Sequence, residues 1–155
     1  GLTKALEKDP DALSGVDSAG NTLVHIAARE GDKKVLQFVC EVANLPVNAV
    51  NFSELTPLHV AAAESKIEAC SFLLLHEDID PHVTNNDGDT AFHFLCSCAK
   101  AAYTDYYENK RYRIVFRRFL ARGLSPSLPN KKGDTLLHQA AAKNCLMAAH
   151  LLLYH

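Results

Sequence analysis

The chain has 155 residues, 48% of them apolar, and a formal net charge of −2, which suits one continuous buried core. No run approaches the roughly 18 consecutive apolar residues of a membrane span, and the opening GLTKALEKDPDAL lacks the apolar centre of a secretory signal. Five cysteines, at 40, 70, 96, 98 and 145, are odd in number and show no Cys-x-x-Cys pair, which favours reduced thiols and a cytoplasmic or nuclear location over a disulfide framework.

Residues 1–16 predict a helix over LTKALEK that caps the first unit of an array or completes an earlier unit. From there one pattern recurs: GNTLVHIAARE from 20, ELTPLHVAAAE from 54, GDTAFHFLCSC from 88 and GDTLLHQAAAK from 133. In each, Thr (Thr22, Thr56, Thr90, Thr135) precedes His (His25, His59, His93, His138) by three residues, and the histidines are spaced 34, 34 and 45 apart. Self-similarity near 33 residues marks an array of stacked units. Asp17, Asn51, Asn85 and Asn130 stand five residues before each Thr, with Gly20, Gly88 and Gly133 three residues after the Asx; both residue types belong to tight turns. A helix with paired small residues follows each His, then a second apolar stripe: VLQFV, ACSFLLL, IVFRRFL and MAAHLLL. The units are thus 17–50, 51–84, 85–129 and 130–155, each a turn, a helix, a return and a second helix. The third carries about twelve extra residues near 101–112, AAYTDYYENKRY, which could lengthen either helix or form a loop. The last ends on LLLY with no polar capping segment, so either further chain or self-association through the C-terminal helix is expected there.

These residues resemble the ankyrin repeat family: TPLHVAAAE at 56–64 matches its turn-into-helix motif, and the other units keep its Thr and His. The resemblance implies an all-α, right-handed solenoid of helix-turn-helix repeats with short β-turn or hairpin tips. It also implies that each Thr and His hydrogen-bond locally and link neighbouring units. Two departures stand out, Glu54 where glycine is usual and Leu95 with Cys96 in the two-alanine place. Asn48 occupies the family's asparagine hydroxylation position, although Pro46 replaces the preferred acidic residue.

That reading absorbs most of the apparent chemistry. His93-x-x-Cys96-x-Cys98 offers three ligands where a structural zinc wants four, and no base or orienting carboxylate stands at a telling spacing for a nucleophile. No catalytic group, metal or cofactor is implied. The expected activity is protein-protein interaction as a scaffold, with the partner another protein or another domain of a longer protein; the alternative is a regulatory or recruiting domain of a larger enzyme whose chemistry lies outside these residues.

The candidate partner-binding residues are at the turn tips and first helices: Arg29, Phe52, Leu55, Asn86, Asp87, Lys131 and Lys132. Phe52 and Leu55 are large and apolar where other tips are small or polar, so Phe52 is either an exposed anchor or a ring folded on the neighbouring turn. A second candidate surface is the insertion and the helix after it, through Tyr103, Tyr106, Tyr107, Arg113 and Arg117, with Tyr112 grouped among these amphipathic rings. Arg111, Arg113, Arg117, Arg118 and Arg122 read as one basic patch or as a solvated outer helix. Such a patch could meet an anionic membrane, while nucleic acid is disfavoured because residues 100–132 hold nine Lys/Arg against two carboxylates and the rest of the chain is net acidic.

Overall fold

The computed structural model describes residues 13–97 and 106–154, the side chains of 106–109 excepted. The leading helix expected near residues 2–8, Cys98, Tyr103 and the side chains of Tyr106 and Tyr107 lie outside the described residues. Among the described residues the structure is an all-α solenoid. Its helices are α1 Leu23–Glu30, α2 Lys33–Gln37, α3 Pro57–Ala63, α4 Ile67–Leu75, α5 Ala91–Cys96, α6 Tyr106–Ala121, α7 Leu136–Ala142 and α8 Leu146–Leu153. α2 runs on into a π-helix over Phe38–Val42. First helices stack on one another in chain order, α1 on α3 on α5 on α7, and the second helices α2, α4 and α6 form the outer layer.

Each first helix begins where it does because of the Thr-x-x-His box. Thr22, Thr56, Thr90 and Thr135 are extended, and each shares a reciprocal cap with the His three residues on, which satisfies donors a helix start leaves over. Pro57 at the first turn of α3 loses nothing, because that backbone N–H has no partner within the helix. Small residues on the stacked faces, Ala27, Ala28, Ala61 and Ala62, are buried and let adjacent first helices approach closely.

In the third unit the core is larger. Phe92 stacks on Phe119 at 4.8 Å and meets Phe116 edge-on at 4.9 Å. Leu95 and Cys96, in the alanine places, are fully buried. Tyr112 is buried as well and its hydroxyl donates to the Leu95 carbonyl at 3.0 Å, which removes it from the proposed aromatic surface. The extra residues lengthen the second helix at its start: 106–112 are the first turns of the 16-residue α6, against nine residues in α4.

Candidate functional site

The turn tips are built from the Asx residues upward. Asn51 Oδ1 accepts from the N–H groups of Ser53 and Leu55, both at 3.0 Å, while its own N–H donates to the Leu55 carbonyl. Asp17, Asn85 and Asn130 do the same work in their turns. These are closed β-turns with paired hydrogen bonds, and no strand occurs among the described residues. The tips are also tied in series: Phe52 N–H donates to Ala19 O at 3.0 Å, Lys131 N–H to Asp87 O at 2.9 Å and Lys131 Nζ to Asn86 O at 2.7 Å. The fourth turn residue needs a left-handed backbone, with φ +78° at Gly20 and +79° at Gly88, and Glu54 adopts φ +58° at the same place. A Cβ on Gly20 would lie 2.5 Å from the Phe52 ring.

The histidines hold the turns. Thr22 N–H donates to His25 Nδ1 at 3.1 Å, so in the neutral ring the proton is on Nε2, which donates to the Leu55 carbonyl at 2.7 Å. His59 repeats this, with Thr56 N–H at 3.2 Å and the Asp89 carbonyl at 3.0 Å. His93 makes the local half at 3.1 Å from Thr90 N–H; its buried Nε2 closes no hydrogen bond of good geometry, although backbone groups of Leu128 and Asp134 lie near enough to oppose the effect of burial on the ring. His138, on the last helix pair, keeps the local bond to Thr135 N–H at 3.2 Å and is exposed. The expected link between neighbouring units therefore forms at two of the junctions. Burial, first among the causes, holds His25, His59 and His93 below the ordinary histidine range.

The exposed ridge contains most of the tip candidates. Phe52 is 74% exposed although its ring lies over Gly20, so the ring rests on the neighbouring turn and still presents a face to solvent. Leu55 is half-buried and its carbonyl is taken by His25. Arg29 is exposed beside Glu30, 3.7 Å away. The Asn86 side-chain amide lies against the Glu54 carboxylate, and with its nitrogen turned toward that group it donates to the two oxygens at 2.9 and 3.2 Å. Charge changes along the ridge: Glu30, Glu54, Glu64 and Asp87 give way to Lys131, Lys132 and Lys143, all exposed.

The five-arginine patch divides. Arg118 Nη1 donates to the Ser71 hydroxyl and carbonyl, Arg122 Nη2 donates to Leu74 O at 2.7 Å and His76 O at 3.2 Å, and Arg111 pairs with Glu68 at 2.8 Å. Arg113 and Arg117 remain exposed. The reason is geometric: residues four apart share a helix face, and the face holding Arg118 and Arg122 meets the end of α4, whose last carbonyls need donors. Arg113 and Arg117 are four apart as well, so spacing sorted the arginines into two faces without saying which one packs.

Asn48 is another residue with an unforeseen role. Its amide donates to Asp78 O at 2.7 Å and accepts from Asp80 N–H at 2.9 Å, joining two returns about one repeat apart. Burial pushes the Cys40 thiol up to about 11 and the Cys96 thiol well above its ordinary range. Neither supplies an activated thiolate. Among the described residues no group of three or more His, Cys, Asp or Glu could hold a metal.

Repeated capped helix pairs with short closed tips define a class of solenoid, and comparison with known proteins agrees. A family model of ankyrin repeats matches residues 2–85. The chain belongs to the ankyrin repeat family, a family of non-catalytic interaction modules. It is 28% identical, over 91% of its length, to a probable serine/threonine-protein kinase of Dictyostelium discoideum. It is 27% identical over 88% to the human transient receptor potential cation channel subfamily A member 1, and 34% identical over 66% to mouse ankyrin repeat and SOCS box protein 16. The chain spans only 16%, 11% and 22% of those three proteins.

Proposed function

We propose that this chain is a protein-protein interaction scaffold whose binding surface is the ridge of turn tips with the exposed ends of the first helices. The observation that supports it most is the pairing of an exposed Phe52 with a ridge whose charge passes from carboxylates to lysines along the array. Backbone ties between tips hold these side chains in fixed relation, which lowers the ordering cost of binding. The matching partner is an extended segment with an apolar residue over Phe52, basic groups toward the first two units and acidic groups toward Lys131 and Lys132. A location in the cytoplasm or nucleus accompanies this reading, as buried reduced thiols function there without a disulfide framework.

Affinity capture with the wild-type chain, Phe52→Ala and a Lys131→Glu/Lys132→Glu pair tests the surface. Phe52→Ala is expected to cost on the order of 2 kcal/mol in affinity, and the charge pair to slow association, more so at low salt. An unchanged partner set with both variants removes the ridge as the binding surface. A second reading, a regulatory or recruiting domain within a larger enzyme, is favoured by the similarity to the Dictyostelium kinase. Exposed Arg113 and Arg117 on the outer helix would then be the natural contact to a neighbouring domain.

A further inference from the structure

The outer layer holds a groove that is separate from the ridge of turn tips. α4 forms its floor, α2 with the π-helix after it forms one wall and α6 the other, around about 580 Å³. Ile67 and Phe72 on the floor are half-buried, and Leu75 and Ile114 are 65% and 41% exposed, so apolar surface runs the length of the groove. The walls are charged. Glu68 is paired with Arg111 at 2.8 Å, and Glu41 accepts from the Gln37 amide at 2.9 Å. Arg118 reaches the neutral Ser71, and neither it nor Lys33 pairs with a carboxylate among the described residues. Lys34, Arg113 and Arg117 stand exposed on the same two helices, which places the groove in a positive field.

We propose that this groove docks an acidic amphipathic helix of a partner protein, at a site distinct from the ridge. Length, charge and shape select that occupant. α4 runs nine residues, about 14 Å, which seats two to three turns of a helix laid along it. Apolar residues at i, i+3, i+4 and i+7 of that helix cover Phe72, Leu75 and Ile114 together. Carboxylates on its two flanks complement Lys33 on one wall and Arg118 on the other, while a neutral or basic residue falls at Glu41. The concave shape decides between a helix and an anionic membrane: a flat surface would touch the cations of the rim without reaching Ile67 and Phe72 on the floor.

Fluorescence anisotropy with a labelled synthetic helix tests the proposal. The probe is a peptide of about 14 residues, roughly four turns, with leucines at those spacings and glutamates on both flanks, set against the same peptide with lysines for glutamates. The glutamate peptide should bind saturably, and the lysine peptide at least about tenfold more weakly. Lys33→Glu and the double variant Leu75→Ser/Ile114→Ser should each weaken binding by roughly tenfold or more. All three side chains are exposed, so melting of these variants should stay near wild type. Phe52→Ala should bind the peptide as the wild type does, which separates a failure here from a failure of the ridge. Equal binding of the two peptides, no saturable binding up to about 1 mM, or an affinity that both groove variants leave unmoved overturns the proposal. So does a chain that binds phosphatidylserine vesicles and not the glutamate peptide, because the cations would then serve a membrane surface.

Discussion

The first two junctions of the array and the third use one motif and reach different results. Between units 1 and 2, and between 2 and 3, a buried histidine caps its own helix and also donates to the next turn. Between units 3 and 4, His93 is just as buried, at 2% exposure, but its outward nitrogen closes no hydrogen bond of good geometry. Cys96, in the place where units 1 and 2 have Ala28 and Ala62, is buried near Cys145 of unit 4. The Thr-x-x-His box therefore does two separable things. The local cap depends only on the box, and the tie depends on how closely the next unit approaches.

Deleting the histidines one at a time breaks this comparison most strongly. His59→Ala leaves Thr56 N–H and the Asp89 carbonyl without partners in a buried site, at a cost of about 2 to 4 kcal/mol. His93→Ala should cost about 1 kcal/mol less, since no tie is lost, and His138→Ala least, because the ring is exposed. Urea unfolding of the three variants gives the ranking; equal losses for His59 and His93 would show that the tie contributes nothing.

The outer layer offers a second contrast, between two arginines of α6. Arg122→Ala removes the donor for Leu74 O and His76 O at the end of α4, an expected loss of about 1 to 2 kcal/mol. Arg117→Ala, at an exposed position, should stay within about 0.5 kcal/mol of wild type. Thermal melts of both variants decide the matter, and a substantial loss at Arg117 alone would reverse the assignment of structural and surface arginines.

Much of this was legible in the sequence, and the parts that were not share a cause. The bond between Thr22 and His25 was implied by the family resemblance, and Asn51 was legible as a turn residue, while its contact with Leu55 was not. The tie from His25 to Leu55 spans 30 residues, and a link of this kind between units was implied by the same resemblance. Tyr112 and Arg122 escape the pattern because they lie on the helix that the insertion lengthens, where the period breaks, and their partners sit on other helices. Charge counting grouped Arg118 and Arg122 with Arg113 and Arg117, although helix geometry turns the two pairs to different surroundings. On the ridge, Phe52 was visible as an anomaly of composition; its stacking on Gly20 required coordinates.

Acid should act on the three buried histidines as a group. Burial lowers the folded-state values of His25, His59 and His93 from the ordinary 6.5, so the unfolded chain binds more protons just below that pH and stability falls with pH there. Their contribution is fully present above about pH 6.5 and is lost as pH falls toward the folded values. Protonation also puts a hydrogen on Nδ1, which accepts the Thr N–H. Chemical denaturation at pH 7.5 and pH 5.5 should show the loss, and His59→Asn should flatten it; a slope unaffected by that variant would assign the acid sensitivity elsewhere.

The smallest expected effect compares two tips of one design. Gly20 and Gly88 hold their left-handed turns without strain, while Glu54 holds φ +58° at a cost of about 1 kcal/mol for a residue with a Cβ. Glu54→Gly relieves that cost, but the added freedom of glycine in the unfolded chain offsets roughly half of it. The net gain should be about 0.5 kcal/mol, or a melting temperature higher by about 1 to 2 °C for a chain of this size. The Glu54 carboxylate, by contrast, can accept from the Asn86 amide once its nitrogen is turned toward it, so a variant that melts lower would show that this exposed contact outweighs the backbone strain. In that case Glu54 would be a tie between the second and third tips, in the place where Ala19 to Phe52 and Asp87 to Lys131 use the backbone.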